Sequence, residues 1–443
     1  MTDAWVVGGA LRDELLGRPV RDVDIAIAGD PEPAARRLAA EVKGPVFRLS
    51  EAFGAWRVID HGEQRVFDLS PLQGETIEED LARRDFSVNA MARPREGGDL
   101  IDPLGGRADV ASRTLRVLGT AAYERDPLRP LRLARFAAEL GFSPDAETER
   151  LTRAAAPRVG SAAGERVFAE LKRLVIADGV LDGLALADRL GLLESVLPEL
   201  TALHGVQQSR YHHLDVYDHT LEVLGHLIAI DGAAEPRVRT VLDETLADEL
   251  TRGQALRLGA LLHDVGKPAT RAVRPDGRVT FMGHDRVGEE MVRALCRRLR
   301  TSERLSRFVE ALTRNHLVLG FLVHERPLDR RQVYRYLKRT NPVEIEVTLL
   351  SCADRLATQG RKAEQATQIH LELARELMDA ALQWRAGGPP RLPLRGDELA
   401  RELGIEPGPE LGRLLAELHE AAYAGEADTR DETLSAARRL LGR

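Results

Sequence analysis

The sequence has little cysteine, few aromatic residues and no long apolar run. Only Cys296 and Cys352 occur among its 443 residues, too few for a disulfide framework, so we expect a protein of the reducing cytoplasm. Aromatic residues make up 4% of the chain, so its cores must rely on Leu, Ala and Val, which suit helices. No stretch approaches the roughly 20 apolar residues that span a bilayer, and no signal peptide begins at Met1, so we expect no membrane partner.

The charge balance is slightly acidic. The net charge of −7 argues against indiscriminate binding of polyanions but leaves room for a local basic surface. The length allows several domains with separate hydrophobic cores. Strands are expected at 23–27, 56–59, 65–69 and 99–102, and the apolar spacing that follows is typical of helices.

The most informative segment lies within the first thirty residues. Gly8 and Gly9 follow a short apolar strand, and Arg12 lies in the helix that comes next. A helix N-terminus behind a glycine turn offers free N–H groups to a phosphate. Asp22 and Asp24 then share one face of an alternating strand, where two carboxylates repel each other unless a divalent cation such as Mg²⁺ lies there. This order predicts a metal-dependent site for nucleotidyl transfer.

Two other interpretations of this segment are weaker. An isolated D-x-D more often lies on a solvated strand edge, but here a glycine turn and a basic residue share its strand–helix–strand unit. A dinucleotide-binding fold is disfavoured because residues 7–12 do not follow G-x-G-x-x-G. No acidic residue ends a second strand at the distance that such a fold requires.

These residues resemble the nucleotidyltransferase head of the class II CCA-adding enzymes and bacterial poly(A) polymerases, with the signature GG-x-x-RD-x-x-x-G-x-x-x-x-D-x-D. The resemblance implies that Asp22 and Asp24 hold catalytic Mg²⁺ and that Gly8, Gly9 and Arg12 bind the triphosphate. One metal activates the attacking 3′-hydroxyl and a second holds the leaving pyrophosphate in such transfers. A third carboxylate commonly assists from a neighbouring strand. Asp68 is the candidate, although an ordinary strand-edge position explains it equally well.

A second motif concerns the sugar. Residues 83–90, RRDFSVNA, match the R-R-D-F-[ST]-x-N-A motif of the family. The match implies that Arg84, Asp85 and Asn89 contact the ribose, whose 2′-hydroxyl both donates and accepts hydrogen bonds. A salt bridge at a helix N-terminus is the alternative.

A third motif concerns the base. Asp126 and Arg129, spaced i, i+3 at an expected helix start, match the base-selecting element of the family, although Arg125 stands where many members carry Glu. A carboxylate accepts from the exocyclic amine of cytosine or adenine while a guanidinium donates to the adjacent ring nitrogen, which mismatches G and U. The alternative is a plain capping salt bridge.

Histidine is concentrated in one region, since nine of the twelve lie between His204 and His324. Imidazole and carboxylate ligands suit a transition metal that activates water, although lone histidines on apolar helix faces are usually core residues. The order H…HD…D resembles the HD phosphohydrolase superfamily. The resemblance implies a divalent transition metal (Ni²⁺, Mn²⁺ or Fe²⁺), with two further histidines admitting a second ion. The implied ligands are His219, His263, Asp264, Asp354, His284 and His316.

Together the motifs imply an α/β head with a small mixed sheet of the polymerase-β-like nucleotidyltransferase type, followed by mainly α-helical neck, HD and tail domains. We place these domains at 1–110, 111–203, 204–370 and 371–443. The implied function is template-independent addition of C, A or both from CTP and ATP to the 3′ end of tRNA, with an associated HD phosphohydrolase activity. One rival is a poly(A) polymerase of the same fold. Another is an HD hydrolase with a degenerate head, which the intact Asp22 and Asp24 disfavour.

One departure from the family bears on the product. Complete CCA-adding enzymes usually carry a long loop between the strand of the third carboxylate and the motif that begins at Glu78. Here only residues 69–76 fill that interval, as in CC-adding members. The short interval therefore indicates either addition of two cytidines without the terminal A or a different action on RNA tails, with full CCA addition as the remaining alternative.

Overall fold

The computed structural model describes residues 3–51, 54–208, 214–358 and 363–442. The chain divides into two units, Met1–Leu197 and Pro198–Arg443. Within the described ranges, no helix is both long and apolar enough to cross a bilayer.

The first unit begins with a six-stranded sheet in the order β3-β4-β5-β2-β1-β6. Strands β2 and β5 are parallel, and the other neighbours are antiparallel, so the sheet is mixed as predicted. The strands are β1 (Ala4–Val7), β2 (Asp22–Ile27), β3 (Val46–Ser50), β4 (Ala55–Asp60), β5 (Arg65–Pro71) and β6 (Ala92–Pro94). Helices α1 (Gly9–Leu15), α2 (Glu32–Val42) and α3 (Ile77–Leu81) and the 3₁₀ turn Ser87–Asn89 connect them.

The two faces of this sheet have different coverings because successive residues of a strand point to opposite sides. Val23, Ile25 and Ile27 of β2 point to one face, which α2 covers with a core that includes Leu38. The other face carries Asp22, Asp24 and Ala26, and we call it the carboxylate face. Its β1–β6 half is covered by a second core formed by Val7, Ala26, Ile77, Leu81, Ala90 and Ala92. Asp22 and Asp24 themselves remain exposed.

The rest of the first unit is helical. Its elements are α4 (Gly106–Ala111), α5 (Thr120–Arg125), α6 (Arg129–Leu140), α7 (Ala146–Ala155), α8 (Gly164–Ile176), α9 (Val180–Arg189) and α10 (Leu192–Val196), with a short parallel pair, β7 (Thr114–Leu115) and β8 (Ser143–Pro144). Helix α6 ends as predicted at Gly141, whose φ of 68° favours glycine. The segment 99–102 was expected to be a strand, and that prediction is wrong. It makes only the isolated bridge between Ile101 and Ala92.

The second unit is almost entirely helical. Its helices are α11 (Pro198–Thr201), α12 (Val216–Gly232), α13 (Pro236–Leu242), α14 (Arg252–Leu262), α15 (Lys267–Thr270), α16 (His284–Leu299), α17 (Glu303–Asn315), α18 (Val318–Leu322), α19 (Arg330–Thr340), α20 (Glu344–Leu356), α21 (Ala363–Gly387), α22 (Gly396–Leu403), α23 (Pro409–Ala424) and α24 (Arg430–Leu440). Two small hairpins join them, β9 (Thr245–Ala247) with β10 (Leu250–Thr251) and β11 (Ala272–Val273) with β12 (Val279–Thr280). Helix α21 continues through residue 370, so a boundary there would divide a helix. The mixed sheet and the helical remainder confirm the predicted fold class.

Candidate functional site

The register of two strands brings three carboxylates to the carboxylate face. Asp24 lies directly opposite Asp68 in the parallel pair β2–β5, and Asp22 is two residues before Asp24 on the same side of β2. Asp24 as a whole is exposed, but surrounding protein atoms desolvate its carboxyl and so raise its pKa above the usual range. Arg84 opposes this shift in pKa, and the neighbouring Asp68 and Asp22 add to it. Mutual repulsion of this kind is relieved by a hard divalent cation, so the set fits Mg²⁺.

An arginine accompanies the third carboxylate. Arg57 of β4 donates through Nε and Nη2 to the two oxygens of Asp68, both at 2.7 Å. This fork fixes the orientation of Asp68 and offsets part of its charge, and it leaves Nη1 of Arg57 outside the pair. The sequence predicted Asp68 but not Arg57, because the pairing of β4 with β5 is needed to place them side by side.

The glycine turn closes over the carboxylates. Gly8 has a φ of 72°, and a Cβ atom there would lie 2.8 Å from Arg84 Nη1 and 3.6 Å from Asp24 Oδ2. Only glycine therefore lets the backbone approach so closely. Arg84 in turn donates from Nη2 to Asp80 Oδ2 at 3.0 Å.

Three of the residues predicted to contact phosphate or ribose, Arg12, Asn89 and Asp85, are joined in one hydrogen-bonded chain. Arg12 Nη1 donates to Asn89 Oδ1 at 2.7 Å, and Asn89 Nδ2 donates to Asp85 Oδ1 at 3.1 Å. The other oxygen of Asp85 accepts from Arg132 Nη1 at 3.4 Å, and Arg132 Nε donates to Glu170 Oε1 at 2.9 Å. Burial raises the pKa of Asp85, but Arg132 and Asn89 outweigh it and lower the pKa below the usual range. Asp85 is therefore an anion that orients its neighbours.

The predicted base-selecting pair lies in a turn. Asp126 follows α5 in extended conformation and Arg129 begins α6, so the expectation that both lie at one helix start is wrong for Asp126. Asp126 accepts at 2.7 Å from Arg166 Nη2, while Arg129 Nη1 donates to the carbonyl oxygens of Arg84 and Ala122. The buried Nε of Arg129 has no hydrogen-bond partner among the described residues. That free donor is what a pyrimidine or purine ring nitrogen requires.

A second cluster gathers all six side chains predicted to bind a transition metal. Two groups of three have ligand atoms within 4.8 Å of one another, namely His219, His263 and Asp354, and Asp264, His284 and His316. Five helices supply them: α12 carries His219, α16 begins at His284 and α20 carries Asp354. His263 directly follows the end of α14 and is itself followed by Asp264, and His316 directly follows the end of α17.

Three of the four imidazoles in this cluster are oriented by backbone carbonyl groups that precede them in the chain. The Nδ1 atoms of His263, His284 and His316 lie 2.8, 2.7 and 2.7 Å from the carbonyl oxygens three residues earlier. Each Nε2 is therefore left for the cluster centre, which is the usual arrangement of metal-binding histidine. The Nε2 atoms of His284 and His316 lie 3.2 Å apart. Two facing lone pairs at that distance fit a shared metal or proton.

Neighbouring charged groups within the cluster shift one another's pKa values. Burial raises the pKa of Asp264, but His263 and Lys267 lower it well below the usual range. Burial and the nearby His263 lower the pKa of His316 to about 3, so its imidazole is neutral and able to ligate. Lys267 Nζ lies 2.6 Å from Asp264 Oδ2 and was missed by sequence reasoning, although its i, i+3 spacing from Asp264 was available as a signal.

Three protein-family profiles match the chain. They are described as "Poly A polymerase head domain" over residues 4–116, "Probable RNA and SrmB- binding site of polymerase A" over 141–203 and "HD domain" over 216–359. The first contains the three carboxylates, and the third contains the histidine cluster.

Whole-length relatives agree with the profiles. The chain is 38% identical to the A-adding tRNA nucleotidyltransferase of Deinococcus radiodurans, with 97% of this chain and 93% of that protein covered. It is 36% identical to the CC-adding tRNA nucleotidyltransferase of Thermus thermophilus, with 97% and 92% covered. A solved structure of the Thermotoga maritima CCA-adding enzyme complexed with tRNA has a TM-score of 0.61 at 21% identity, covering 99% of this chain and 92% of that one. At that identity the likeness concerns the fold.

Proposed function

Because the chain belongs to the class II tRNA nucleotidyltransferase and bacterial poly(A) polymerase family with a fused HD domain, we propose that it transfers nucleotides from CTP, ATP or both to the 3′ end of tRNA. The observation that carries the proposal is the register that places Asp24 opposite Asp68, beside the tight turn at Gly8.

In the proposed reaction, the 3′-hydroxyl oxygen of the RNA bonds to the α-phosphorus, the bond to pyrophosphate breaks and the hydroxyl proton is lost. Asp22, Asp24 and Asp68 would hold Mg²⁺, which supplies charge stabilisation at the attacking and leaving oxygens. The backbone at Gly8 and Gly9 and the start of α1 would bind the triphosphate.

Sugar and base would be read by the neighbouring side chains. The chain from Arg12 through Asn89 to Asp85 presents both donors and acceptors to a 2′-hydroxyl. Asp126 and Arg129 would accept from the exocyclic amine and donate to the ring nitrogen of cytosine or adenine.

An incorporation assay tests this proposal. Truncated tRNA would be incubated with Mg²⁺ and each of the four nucleoside triphosphates in turn. We expect incorporation from CTP, ATP or both, and none from GTP or UTP. Long A tails on RNA unrelated to tRNA would favour the poly(A) polymerase instead, and failure to incorporate any nucleotide would favour a degenerate head.

We propose further that the product is CC rather than CCA. Only five residues, 72–76, separate the end of β5 at Pro71 from the start of helix α3 at Ile77. Relatives named for A addition and for CC addition both match the chain, so their names do not decide the product.

Three acceptors decide it, namely tRNA lacking CCA, tRNA ending in C and tRNA ending in CC. We expect two cytidines on the first, one on the second, and no adenosine on the third. Addition of A to the third acceptor would reject the CC proposal. If C addition to the first acceptor also failed, the enzyme would be A-adding.

For the second cluster, we propose a metal-dependent phosphohydrolase. Its support is the buried set of four imidazoles and two carboxylates, which suits a transition metal that activates water. The metal-stripped protein would be assayed against 2′,3′-cyclic phosphates and nucleotides with Ni²⁺, Mn²⁺ or Mg²⁺. His263→Ala should abolish hydrolysis and His226→Asn should not. Hydrolysis that survives His263→Ala would contradict the proposal.

A further inference from the structure

An aromatic side chain lies in the same cross-strand row as the carboxylates. Phe47 of β3 is directly opposite Arg57 of β4, Arg57 is opposite Asp68 of β5, and Asp68 is opposite Asp24 of β2. Directly opposed residues project to the same side of a sheet. The row therefore runs along the carboxylate face from Asp24 to the edge strand.

This end of the carboxylate face is uncovered. Phe47, the last residue of the row, is 44% exposed. The β1–β6 half of the same face is instead filled by the core around Val7 and Ala26. Edge strands usually carry charged or interrupted sequences that prevent association. A half-exposed phenylalanine on the edge strand, in line with the carboxylates, is therefore a candidate contact for a ligand.

The side of Asp24 on which Phe47 lies indicates which substrate would contact it. The turn at Gly8, assigned to the triphosphate, lies on the β1 side of Asp24, because Val7 pairs with Asp24 from that side. The β5–β4–β3 side is left for the second substrate, whose 3′-hydroxyl must reach the same carboxylates. Arg57 lies between Asp68 and Phe47 and supplies positive charge for a phosphodiester. Unpaired bases stack on exposed aromatic rings.

We propose that Phe47 is a binding residue for the RNA acceptor, on which the 3′-terminal base stacks while Arg57 faces the adjoining phosphate. The inference rests on the proposed function, since it takes Asp22, Asp24 and Asp68 as the point of transfer. It adds where the acceptor lies and which side chain holds its end.

A kinetic split tests the proposal. Phe47→Leu and Phe47→Ala should raise the KM for a tRNA minihelix about tenfold, the loss expected for one stacked base, and leave the KM for CTP and the kcat at saturating RNA within about twofold. Phe47→Trp should retain the wild-type KM because a larger ring still stacks. Leu440→Ala, which removes a comparably exposed apolar side chain from α24, should change neither constant. Unchanged melting temperatures would show that the variants fold.

A fluorescence measurement reports stacking directly. A minihelix ending in 2-aminopurine should be quenched on binding to wild-type protein and to Phe47→Trp, and less so on binding to Phe47→Leu. If CTP is incorporated but all Phe47 variants match the wild type in RNA KM and in quenching, this inference fails while the proposed function stands. If Phe47→Ala changes only the sedimentation coefficient, the edge pairs with a second copy and the inference is overturned. Absence of incorporation by the wild type would instead remove the proposed function itself.

Discussion

The two candidate metal sites are built in opposite ways. The head offers three carboxylates on an open sheet face, and Asp22 and Asp24 are exposed. The second unit offers imidazoles and carboxylates that the fold has already gathered, with His263 and Asp264 at most 1% exposed. In the head, desolvation of the carboxyl and then repulsion from Asp68 and Asp22 raise the pKa of Asp24. In the second unit, His263 and Lys267 lower the pKa of Asp264 despite its burial.

The difference indicates when each site acquires its metal. An open set of like charges gains most of its binding free energy when a triphosphate arrives with its cation and supplies further oxygen ligands. A buried set with balanced charge and fixed imidazoles is ready before any substrate binds. On the proposed function, the head would therefore be completed by its substrate, and the second site would be completed by the protein.

The largest expected effect separates the two sites functionally. Asp24→Ala should lower nucleotide incorporation at least about 10³-fold, because the metal contributes several kcal/mol to the transition state. Metal-dependent phosphate hydrolysis by the same variant should stay unchanged. Asp30→Asn, an exposed acidic position just after β2, is the matched control and should retain both activities. Equal loss of both activities in Asp24→Ala would show that the sites are not independent.

The second largest expected effect is on the free energy of unfolding of the metal-free protein, which substitutions at the two sites should change in opposite directions. Asp264→Asn leaves Lys267 and His263 without their buried anion, so we expect a loss of about 3 kcal/mol in the free energy of unfolding. Asp24→Asn removes a repelling charge from an exposed position and should gain stability, by less than about 1 kcal/mol. Urea unfolding in the presence of a chelator measures both. Destabilisation by Asp24→Asn would contradict the repulsion inferred at the head.

Metal retention gives a third contrast. After extensive dialysis without chelator, the second unit should keep roughly one or two transition-metal ions per chain, and Mg²⁺ should be lost from the head. Elemental analysis of the wild type and of His316→Ala would measure this. A variant that retains as much metal as the wild type would show that His316 is not a ligand.

The smallest expected effect is on pH dependence. Because the pKa of Asp24 is raised, its carboxylate protonates at a higher pH than the usual value of about 3.9. Incorporation should therefore fall, as the pH is lowered, earlier than for an unperturbed aspartate. The stability of the metal-free head changes in the opposite direction, since protonation through the raised pKa relieves repulsion. A profile of kcat/KM against pH whose acidic limb lies at or below the ordinary value would contradict this.

Patterns within one segment of sequence predicted the candidate site residues themselves, but not the residues that other strands place beside them. Alternation in residues 22–27 was enough to place Asp22 and Asp24 on one face, since a strand has a period of two. Arg57 was missed because its role depends on which strands pair. The edge strand β3, which carries Phe47, was also missed, because its burial does not alternate along the strand.

The histidine cluster was predictable for a different reason. Histidines at this density stand out from Leu-rich helices wherever the helices lie, so their order along the chain was enough to select six side chains that the structure places together. That they bind a metal stays a prediction. Spacing along a helix was not sufficient for Asp126, because residues 126–128 form a turn before α6 begins. Contacts between distant segments, such as that of Arg132 with Asp85, cannot be predicted from the sequence of either segment alone.

The ion-pair chain that ends at Glu170 has a consequence for fidelity. Glu170 accepts from Arg132 and from Arg135, and through Arg132 it restrains Asp85 and then Asn89. A carboxylate on α8 thus supports the groups that would distinguish a ribonucleotide from a deoxyribonucleotide. Substitution of Glu170 should consequently increase errors in sugar choice, although Glu170 reaches Asp85 only through Arg132. A search for error-prone variants should therefore include α8 as well as the reacting centre.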